Sequence, residues 1–468
     1  MSSKMRLFFI VFFLVNLFLA SFHMDLWHNM NATSRALPVI TYFENGSFKI
    51  DKYQEKTCDK SFVNGHYYTD KAPLPTWIVI PFFGALKSIG FIKAHDNSLL
   101  SDAVFVLGDF ICGTIPFVLA ICLAFFYSYK NVSSSSPVIL TMLPFYASFM
   151  FVFSGTYFNH LFSGILLLTA YINIKNKHFL LAGVFAGLSF LSEYTIAIIF
   201  PIWALQIWYR EKNLKKAILF SLGIMPSFIA ILFYNNAFTG HPFEMLYKYV
   251  SNDFVAMKTN YGFNLPQIKA LWSLTFSQYK GLFFYSPFLA LLLFYSIKRL
   301  RGFTVKRLFN NYLAPSCILY LLFVSSYYMW WGGWTYGPRH LTVIAMLLTF
   351  EGVIYFSRHK FNKAIFWILT GFGFLSAFLA KSTVLYSIPS EIEWPLFQTV
   401  IPKFLSKDIN PNNLLTIFFD MSPVTAMYFW LILFTGITFV LYRWFKNIQH
   451  QEMNISNSVF ADKKQHVS

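Results

Sequence analysis

Long apolar runs alternate with short polar segments along most of the chain. The first run extends from Met5 to Phe22. Others follow near 75–92, 102–127, 137–154, 160–174, 179–209, 216–234, 281–297, 311–329, 339–356, 363–384 and 423–443. Because a helix of about twenty apolar residues crosses the hydrocarbon layer of a bilayer, this pattern predicts an all-α polytopic membrane protein with about 11–13 transmembrane helices.

Composition supports this fold class. Hydrophobic residues make up 56% of the 468 residues and charged residues only 12%, whereas about a quarter of the residues in a soluble domain are charged. The net charge of +17 would suit a nucleic-acid-binding protein, but the basic residues lie between apolar runs. Short basic segments of this kind mark cytoplasmic loops. We therefore assign the charge to membrane topology and expect no nucleic-acid partner.

The basic segments also orient the predicted helices. Four of them are expected to be cytoplasmic, namely Arg210–Lys216, Lys298–Arg301, Arg358–Lys360 and Arg443–Lys446. With the N-terminus also inside, the count requires 179–209 to cross once, as two half-helices broken at Ser192-Glu193-Tyr194. This arrangement puts Lys175–Lys177 on the outside, against the positive-inside rule.

A polar segment of residues 23–74 follows the first run and is predicted to form a structured first outer loop with juxtamembrane helices. It has a helical pattern around Asn29 to Phe43, a turn at Glu44-Asn45-Gly46 and extended residues from Phe48 to Asp51. Residues 1–446 are predicted to form a single transmembrane domain. The polar tail, 447–468, is expected to be disordered.

The end of the first outer loop carries the most unusual polar residues. Between Asn64 and Pro75 the chain places an acid, a base, a histidine and two tyrosines just before an apolar run that begins at Trp77. Ionisable groups at that depth must be paired or hydrated, so this junction is the candidate active site. The structural alternative is that Asp70 caps a helix while Lys71 extends to the membrane interface.

Several motifs follow one another in an order and spacing found in known enzymes. They are Thr33-Ser34-Arg35, Ile50-Asp51-Lys52-Tyr53, Thr57-Cys58-Asp59-Lys60, Gly65-His66-Tyr67-Tyr68-Thr69-Asp70-Lys71-Ala72-Pro73, Tyr234-Asn235-Asn236, Gly240-His241-Pro242-Phe243, Lys280-Gly281-Leu282-Phe283 and Trp331-Gly332-Gly333-Trp334-Thr335-Tyr336-Gly337-Pro338-Arg339-His340. This series resembles bacterial integral-membrane glycosyltransferases of the C-type superfamily. That superfamily includes protein O-mannosyltransferases and the lipid A aminoarabinose transferase.

The resemblance implies a sugar donor carried on a polyprenyl phosphate in the bacterial inner membrane. Transfer would occur on the periplasmic face, with inversion, to a hydroxyl of a glycolipid, lipopolysaccharide or protein. Asp70-Lys71-Ala72-Pro73 is similar to a Glu-Lys-Pro-Pro motif whose lysine contacts the lipid phosphate, which implies that role for Lys71. The chain departs from the superfamily just before Arg35, where Asn31-Ala32-Thr33-Ser34 replaces the usual aspartate. The base must then come from elsewhere.

Such a transfer needs a cation for the phosphate, a carboxylate to accept the hydroxyl proton and a site shielded from water. The candidate bases are Asp70, Asp59 and Asp51, and the loop has one further aspartate, Asp25. The candidate substrate-binding residues are Lys71, Arg35, His66, Tyr68 and Arg339. A divalent cation held by the carboxylates with His66 or His241 is an alternative way to neutralise the phosphate. The spacing of the residues identifies no metal ligands.

Two other function classes remain open. A transporter or flippase of a lipid-linked or polar substrate is disfavoured, because the predicted spans contain few ionisable residues and no inverted repeat is visible. A non-catalytic protein with the same scaffold would account for the missing early aspartate. Glu193 and Asp109, within the apolar runs, are expected to be helix-packing partners or features of half-helices, and His160 and His241 are expected to be structural.

Overall fold

The computed structural model describes residues 2–26, 29–92, 97–130, 136–250, 252–299 and 304–465. Within these residues, six helical segments are long and apolar enough to cross a membrane, and shorter apolar helices accompany them. The predicted class of helical membrane protein is confirmed at this level. Most of the buried hydrophobic residues form one core cluster, at whose centre Trp430 stacks on Phe151, Phe378 and Phe434.

The helices follow the predicted apolar runs closely. They are α1 Ser3–Ser21, α2 Met30–Asn45, α3 Leu74–Ser88, α4 Asn97–Gly108, α5 Ile115–Ser128, α6 Pro137–Tyr146, α7 Phe149–Val152, α8 His160–Lys175, α9 Phe179–Ser192, α10 Phe200–Glu211, α11 Leu214–Thr239, α12 Ile268–Thr275, α13 Leu282–Tyr285, α14 Pro287–Arg299, α15 Val305–Phe309, α16 Leu313–Ser325, α17 Thr342–Arg358, α18 Lys363–Thr383, α19 Ile401–Leu405, α20 Leu414–Phe419 and α21 Pro423–Gln465. Because α21 continues to Gln465, most of the segment predicted to be a disordered tail is helical.

Short 3₁₀ and π segments interrupt or join these helices. The 3₁₀ segments are Asp51–Lys56, Tyr194–Ile199, Leu246–Tyr249, Asn252–Lys258, Asn260–Gly262 and Arg339–Leu341. The π segments are Asp109–Thr114 and Leu396–Val400. Asp109–Thr114 joins α4 to α5, so the predicted apolar run of 102–127 is one continuous helical segment.

Helix α2 confirms the predicted helical stretch and its end. The side chain of Asn29 accepts hydrogen bonds from the backbone N–H groups of Asn31 and Ala32, which have no partner within the helix. At the other end Gly46 has φ of 72° and donates its N–H to the carbonyl of Tyr42. Glycine adopts this left-handed conformation without a steric penalty, so the helix ends there.

A β-hairpin follows in the same segment, and the sequence did not lead us to expect it. Strands β1, Lys60–Val63, and β2, His66–Thr69, pair antiparallel in the register Lys60↔Thr69. Asn64 and Gly65 join them with φ of 51° and 81°. Both residues tolerate positive φ, which a two-residue hairpin turn of this kind requires. The Asn-Gly pair was therefore an available signal for a hairpin.

The predicted break at Ser192-Glu193-Tyr194 is present, but its predicted consequence is wrong. The chain turns back at Glu193, and two ion pairs show this reversal. Lys177, before α9, and Lys216, in α11, both pair with Glu211, with Nζ to Oε2 distances of 3.6 and 2.5 Å. Both ends of 179–209 therefore lie together, and the stretch is a helical hairpin. A single crossing would have separated Lys177 from Lys216 by the membrane thickness.

Helices α9 and α11 pack through small residues. A Cβ atom added at Gly183 would lie 2.9 Å from Gly223 Cα, and one added at Gly187 would lie 2.7 Å from Ser227 Oγ. These pairs are four residues apart on each helix, a spacing that lets two backbones approach closely in a membrane. The close approach holds the helical hairpin against α11.

We expect Gly183→Ala to lower the free energy of unfolding by about 1–3 kcal/mol, since the added methyl group must push the two helices apart. The control is Gly371→Ala in α18, where an added Cβ meets nothing within 4 Å. Thermal unfolding in detergent measures both variants. Equal melting temperatures for the two variants would contradict the close packing of α9 on α11.

Candidate functional site

A buried ion-pair cluster lies where the β-hairpin meets α3. Lys71 Nζ is 3.1 Å from Asp59 Oδ2 and 3.1 Å from Asp70 Oδ1. The three side chains are 10%, 12% and 1% exposed, in the order Lys71, Asp59 and Asp70. Asp70 does not cap α3, because Pro73 holds the N-cap position and no side chain bonds to the helix end there. The acid and the base are therefore paired with each other inside the protein.

The hairpin register explains why these residues meet. Asp59 directly precedes β1 and Asp70 directly follows β2, and Lys60 is paired with Thr69. In an antiparallel pair, the residues just outside the last pair lie side by side. Asp51 lies eight residues before Asp59, outside the strands, so the same geometry excludes it from the cluster.

Helix α2 is fastened to this end of the hairpin. The hydroxyl of Ser34 donates to the carbonyl of Asp59 and lies 2.7 Å from Thr69 Oγ1. Thr69 Oγ1 in turn accepts the backbone N–H of Lys71 at 3.1 Å. These buried bonds place the next residue of α2, Arg35, beside the cluster.

Arg35 is buried but has amide partners instead of a carboxylate. Its Nη1 donates to the carbonyl and the side chain of Asn31, and its Nη2 donates to Asn159 Oδ1 at 2.7 Å. Amide and carbonyl oxygens therefore solvate the guanidinium of Arg35.

Burial changes the ionisation of the central acid. The net effect raises the pKa of Asp70 to about 6: burial is the main cause, the charge of Lys71 opposes it, and the neighbouring carboxylate of Asp59 adds to it. Burial by itself would lower the pKa of Lys71, but the carboxylates of Asp59 and Asp70 raise it overall. At neutral pH the cluster therefore holds one buried cation between two carboxylates. Asp70 is the acid poised to exchange a proton near neutrality.

The break at Glu193 lies next to Arg35, because Asn159, which accepts a hydrogen bond from Arg35, donates to the carbonyl of Ser192 at 2.9 Å. The carboxylate of Glu193 accepts hydrogen bonds from Ser163 Oγ at 2.7 Å and from Tyr320 OH at 3.2 Å, and lies 3.1 Å from His160 Nδ1. Arg339 lies over the ring of Phe158 at 5.3 Å. Asp59 and Arg35 are close enough to Arg339 to interact with its charge.

Tyrosines surround the acidic end of the cluster. Tyr194, Tyr234 and Tyr247 each lie close enough to Asp70 to interact with its charge. Tyr68 is buried and packs edge-on against Phe238 at 4.8 Å. A cavity opens beside the cluster, lined by Pro38, Phe48, Tyr68, Thr69, Pro73, Thr76, Trp77, Tyr234 and Phe238. Aromatic walls of this kind suit sugar faces and apolar chains.

Two predicted site residues lie outside the cluster, on the exposed side of the hairpin. His66 Nδ1 is 2.8 Å from Asp51 Oδ2, and the two side chains are 40% and 42% exposed. Asp51 also accepts the backbone N–H of Tyr67 at 2.6 Å. Their pairing with each other stabilises the loop, and it gives Asp51 no route to a substrate bound at Asp70.

Asp25 lies in a second buried group. It accepts hydrogen bonds from Tyr386 OH and Asn29 Nδ2, both at 2.6 Å, and its backbone N–H donates to Asp109 at 3.1 Å. These bonds join the end of α1 to the π segment and to the loop after α18. Asp109 is therefore a packing partner, as predicted.

The divalent-cation hypothesis finds no ligand set in the part of the chain that the structure describes, where no three His, Cys, Asp or Glu side chains converge on one point. His66 pairs with Asp51, and it lies at the turn end of the hairpin, whereas Asp59 precedes the opposite end. The described cysteines at 58, 112, 122 and 317 form no disulfide. The cation nearest to the candidate base is Lys71.

Comparison of the chain with protein-family models, curated proteins and solved structures gives no match. The fold brings together Asp59, Asp70, Lys71, Arg35 and Arg339, with Tyr68 at the adjoining cavity. The sequence did not single out Asn159 or Tyr247 for the site, because each reaches it only through the folding of distant segments. By contrast, the sequence did show Glu193 as an acidic residue at a predicted helix break.

Proposed function

We propose that this protein is an integral-membrane glycosyltransferase of the C-type kind. It would move a sugar from a polyprenyl-phosphate donor to a hydroxyl acceptor on a glycolipid, a lipopolysaccharide or a protein. The observation that carries the proposal is the buried cluster of Lys71 with Asp59 and Asp70. A carboxylate with a raised pKa, next to a cation and an aromatic cavity, is what removal of a hydroxyl proton beside an anionic lipid requires.

The chemical step is an inverting displacement. Asp70 accepts the proton of the acceptor hydroxyl while that oxygen attacks the anomeric carbon of the sugar. The bond from the anomeric carbon to the phosphate oxygen breaks on the opposite face, and its electron pair leaves with the phosphate. The products are the glycoside, with inverted configuration, and the free polyprenyl phosphate. Cations near the cluster stabilise the charge on the leaving phosphate.

The proposed topology has about twelve crossings, with the cluster on the outer face. The start of α1 lies beside the end of α21, where Lys4 Nζ bonds Gln451 at 2.8 Å. The turn back at Glu193 puts Lys175 and Lys177 on the side of the basic loop before α11, which satisfies the positive-inside rule. Helix α3 then lies along α2, with Phe43 and Phe83 at 4.9 Å, as a juxtamembrane helix.

The experiment that tests the proposal is a transfer assay in proteoliposomes, with a polyprenyl phosphate carrying a labelled sugar. We expect label to appear in a new glycoside. A transporter or flippase would move labelled lipid across the bilayer without forming a glycoside, and a non-catalytic scaffold would do neither. Either of those outcomes would contradict the proposal.

Transfer should also depend on pH through Asp70, whose pKa burial raises to about 6. The base must be deprotonated, so activity is expected to be fully present above about pH 7 and to fall tenfold per unit below pH 6. The measurement is kcat/KM between pH 5 and 8. Asp51→Asn is the control and should keep the same profile, because Asp51 lies outside the cluster. A flat profile from pH 5 to 7 would exclude Asp70 as the base.

A further inference from the structure

We infer that Asn159 is a positioning residue for the proposed reaction, because its side-chain amide holds the guanidinium of Arg35 near Asp70 but out of an ion pair with it. This inference rests on the proposed function and explains how Asp70 stays available as a base beside a buried arginine. Three features lead to it: the position of Arg35, the oxygens that its terminal nitrogens contact, and the fixed orientation of the Asn159 amide.

Hydrogen bonds on both sides of the backbone of Arg35 fix it beside Asp70. The hydroxyl of the preceding residue, Ser34, lies 2.7 Å from Thr69 Oγ1, and Thr69 directly precedes Asp70. Thr76, near the start of α3, donates its hydroxyl to the carbonyl of Arg35 at 3.0 Å. The charge of Arg35 therefore acts on the carboxyl group of Asp70.

Arg35 and Asp70 nevertheless do not pair. Lys71 donates a hydrogen bond to Asp70 Oδ2 at 3.2 Å, but within the described residues Asp70 Oδ1 accepts none and Arg35 Nε is buried without a partner. An arginine near a buried carboxylate commonly forms a two-pronged pair with it. Here its terminal nitrogens donate to the carbonyl and side chain of Asn31 and, at 2.7 Å, to Asn159 Oδ1. Uncharged oxygens thus occupy the nitrogens that would bind the carboxylate.

The surroundings of Asn159 determine which end of its amide faces Arg35. Asn159 Nδ2 donates to the carbonyl of Ser192 at 2.9 Å and lies 3.5 Å from Glu193 Oε2. Both partners are acceptors, so the amide oxygen is the end left for the guanidinium. Asn159 holds the N-cap position of α8, but its side chain makes no capping bond there. The amide is therefore used to join Arg35 to the break between α9 and the segment after it.

The structure behind Asn159 is rigid. Ser163 of α8 donates to the carboxylate of Glu193 at 2.7 Å, and Ser189 of α9 donates to the carbonyl of Ser163 at 2.8 Å. These buried bonds tie the end of α9 to the first turns of α8. Asn159 cannot move away from Arg35 without displacing both helices.

Replacement of Asn159 should change the ionisation of Asp70 in two opposite directions. Without the amide, the guanidinium of Arg35 is free to pair with Asp70, and an ion pair lowers the pKa of a carboxyl group. A carboxylate at position 159 would instead neutralise Arg35 and so raise the pKa of Asp70. The other charged or titratable groups that face Asp70 remain in both variants, namely Asp59, Lys71, Tyr194, Tyr234, Tyr247 and Tyr328.

The test is the titration of Asp70 in the purified full-length protein, followed as the infrared carbonyl band that Asp70→Asn removes. We expect Asn159→Ala to move this titration about one pH unit or more lower and Asn159→Asp to move it higher. The acidic limb of kcat/KM for transfer should move in the same directions. In Asn159→Ala, kcat at pH 8 should also fall about tenfold or more, because a paired carboxylate is a weaker base.

The matched control is Asn173→Ala in the same helix, where the buried amide donates to the carbonyl of Thr169 within α8 at 2.8 Å. Its titration of Asp70 and its pH profile are expected to match those of the wild type. The two replacements of Asn159 test the inference independently, so a folding defect in one leaves the other decisive.

The infrared titration needs no turnover, which separates the inference from the proposed function. An unchanged titration in Asn159→Ala, or shifts of the same sign in Asn159→Ala and Asn159→Asp, would overturn the inference and leave the proposed function intact. Opposite shifts in a protein that transfers no sugar would support the role of Asn159 in holding Arg35 and contradict the proposed function.

Discussion

Replacing Asp70 by asparagine is expected to lower kcat for sugar transfer by about 10²–10⁴-fold, the range usual for loss of a general base. Asparagine has the same shape as aspartate, and Lys71 keeps its second ion pair with Asp59 at 3.1 Å. The variant should therefore fold and bind donor, and the loss should appear in kcat. The measurement is steady-state transfer of labelled sugar in proteoliposomes, with size-exclusion chromatography in detergent to confirm folding.

The matched control is Asp51→Asn, which makes the same chemical change on the exposed side of the same hairpin, where Asp51 pairs with His66. Its turnover is expected to stay within about twofold of the wild type, since exposed ion pairs contribute little. Near-normal turnover in Asp70→Asn would refute the assignment of the base. A large loss in Asp51→Asn would place the catalytic acid on the exposed side of the hairpin.

Replacing Lys71 by methionine is expected to lower the free energy of unfolding by about 3–5 kcal/mol, because it leaves two buried carboxylates without their cation. The deficit should shrink as the pH falls. Burial already raises the pKa of Asp70 to about 6, and protonation of Asp70 removes one of the two unpaired charges. Thermal or denaturant unfolding in detergent at pH 5 and pH 8 measures the effect.

Lys52→Met provides the control for that experiment. The Lys52 side chain is 61% exposed and pairs with Glu44 at 3.2 Å, so its loss should leave the unfolding transition nearly unchanged at either pH. If Lys71→Met is as stable as Lys52→Met, the buried ion pair does not hold the cluster together. Its stability would then come from packing and backbone hydrogen bonds.

Much of the helical architecture could be predicted from local patterns. Apolar runs marked the helices, and Gly46 marked the end of α2 because only a residue tolerant of positive φ fits there. The break near Glu193 was also visible, as a polar interruption in an apolar run too long for one span. Whether the chain kinks or reverses at this break could not be predicted, because both outcomes are compatible with the same local sequence. The ion pairs of Glu211 with Lys177 and Lys216 distinguish the two.

The candidate site was only partly predictable. Asp70 and Lys71 stood out because they immediately precede an apolar run. Choosing between Asp51 and Asp59 required the hairpin register, which puts Asp59 next to Asp70. Arg339 and Asn159 come from segments far along the chain, and a single sequence carries no information about which distant segments meet. Long-range contacts of this kind follow from the packing of whole helices.

The most direct test is a structure of the protein with a bound phosphonate analogue of a polyprenyl-phosphate sugar. The predicted result is a sugar ring beside Asp70, with an acceptor oxygen or water about 3 Å from its carboxylate. A headgroup bound away from the Asp59, Lys71 and Asp70 cluster would contradict the claim that this buried acid and cation handle a lipid-borne sugar.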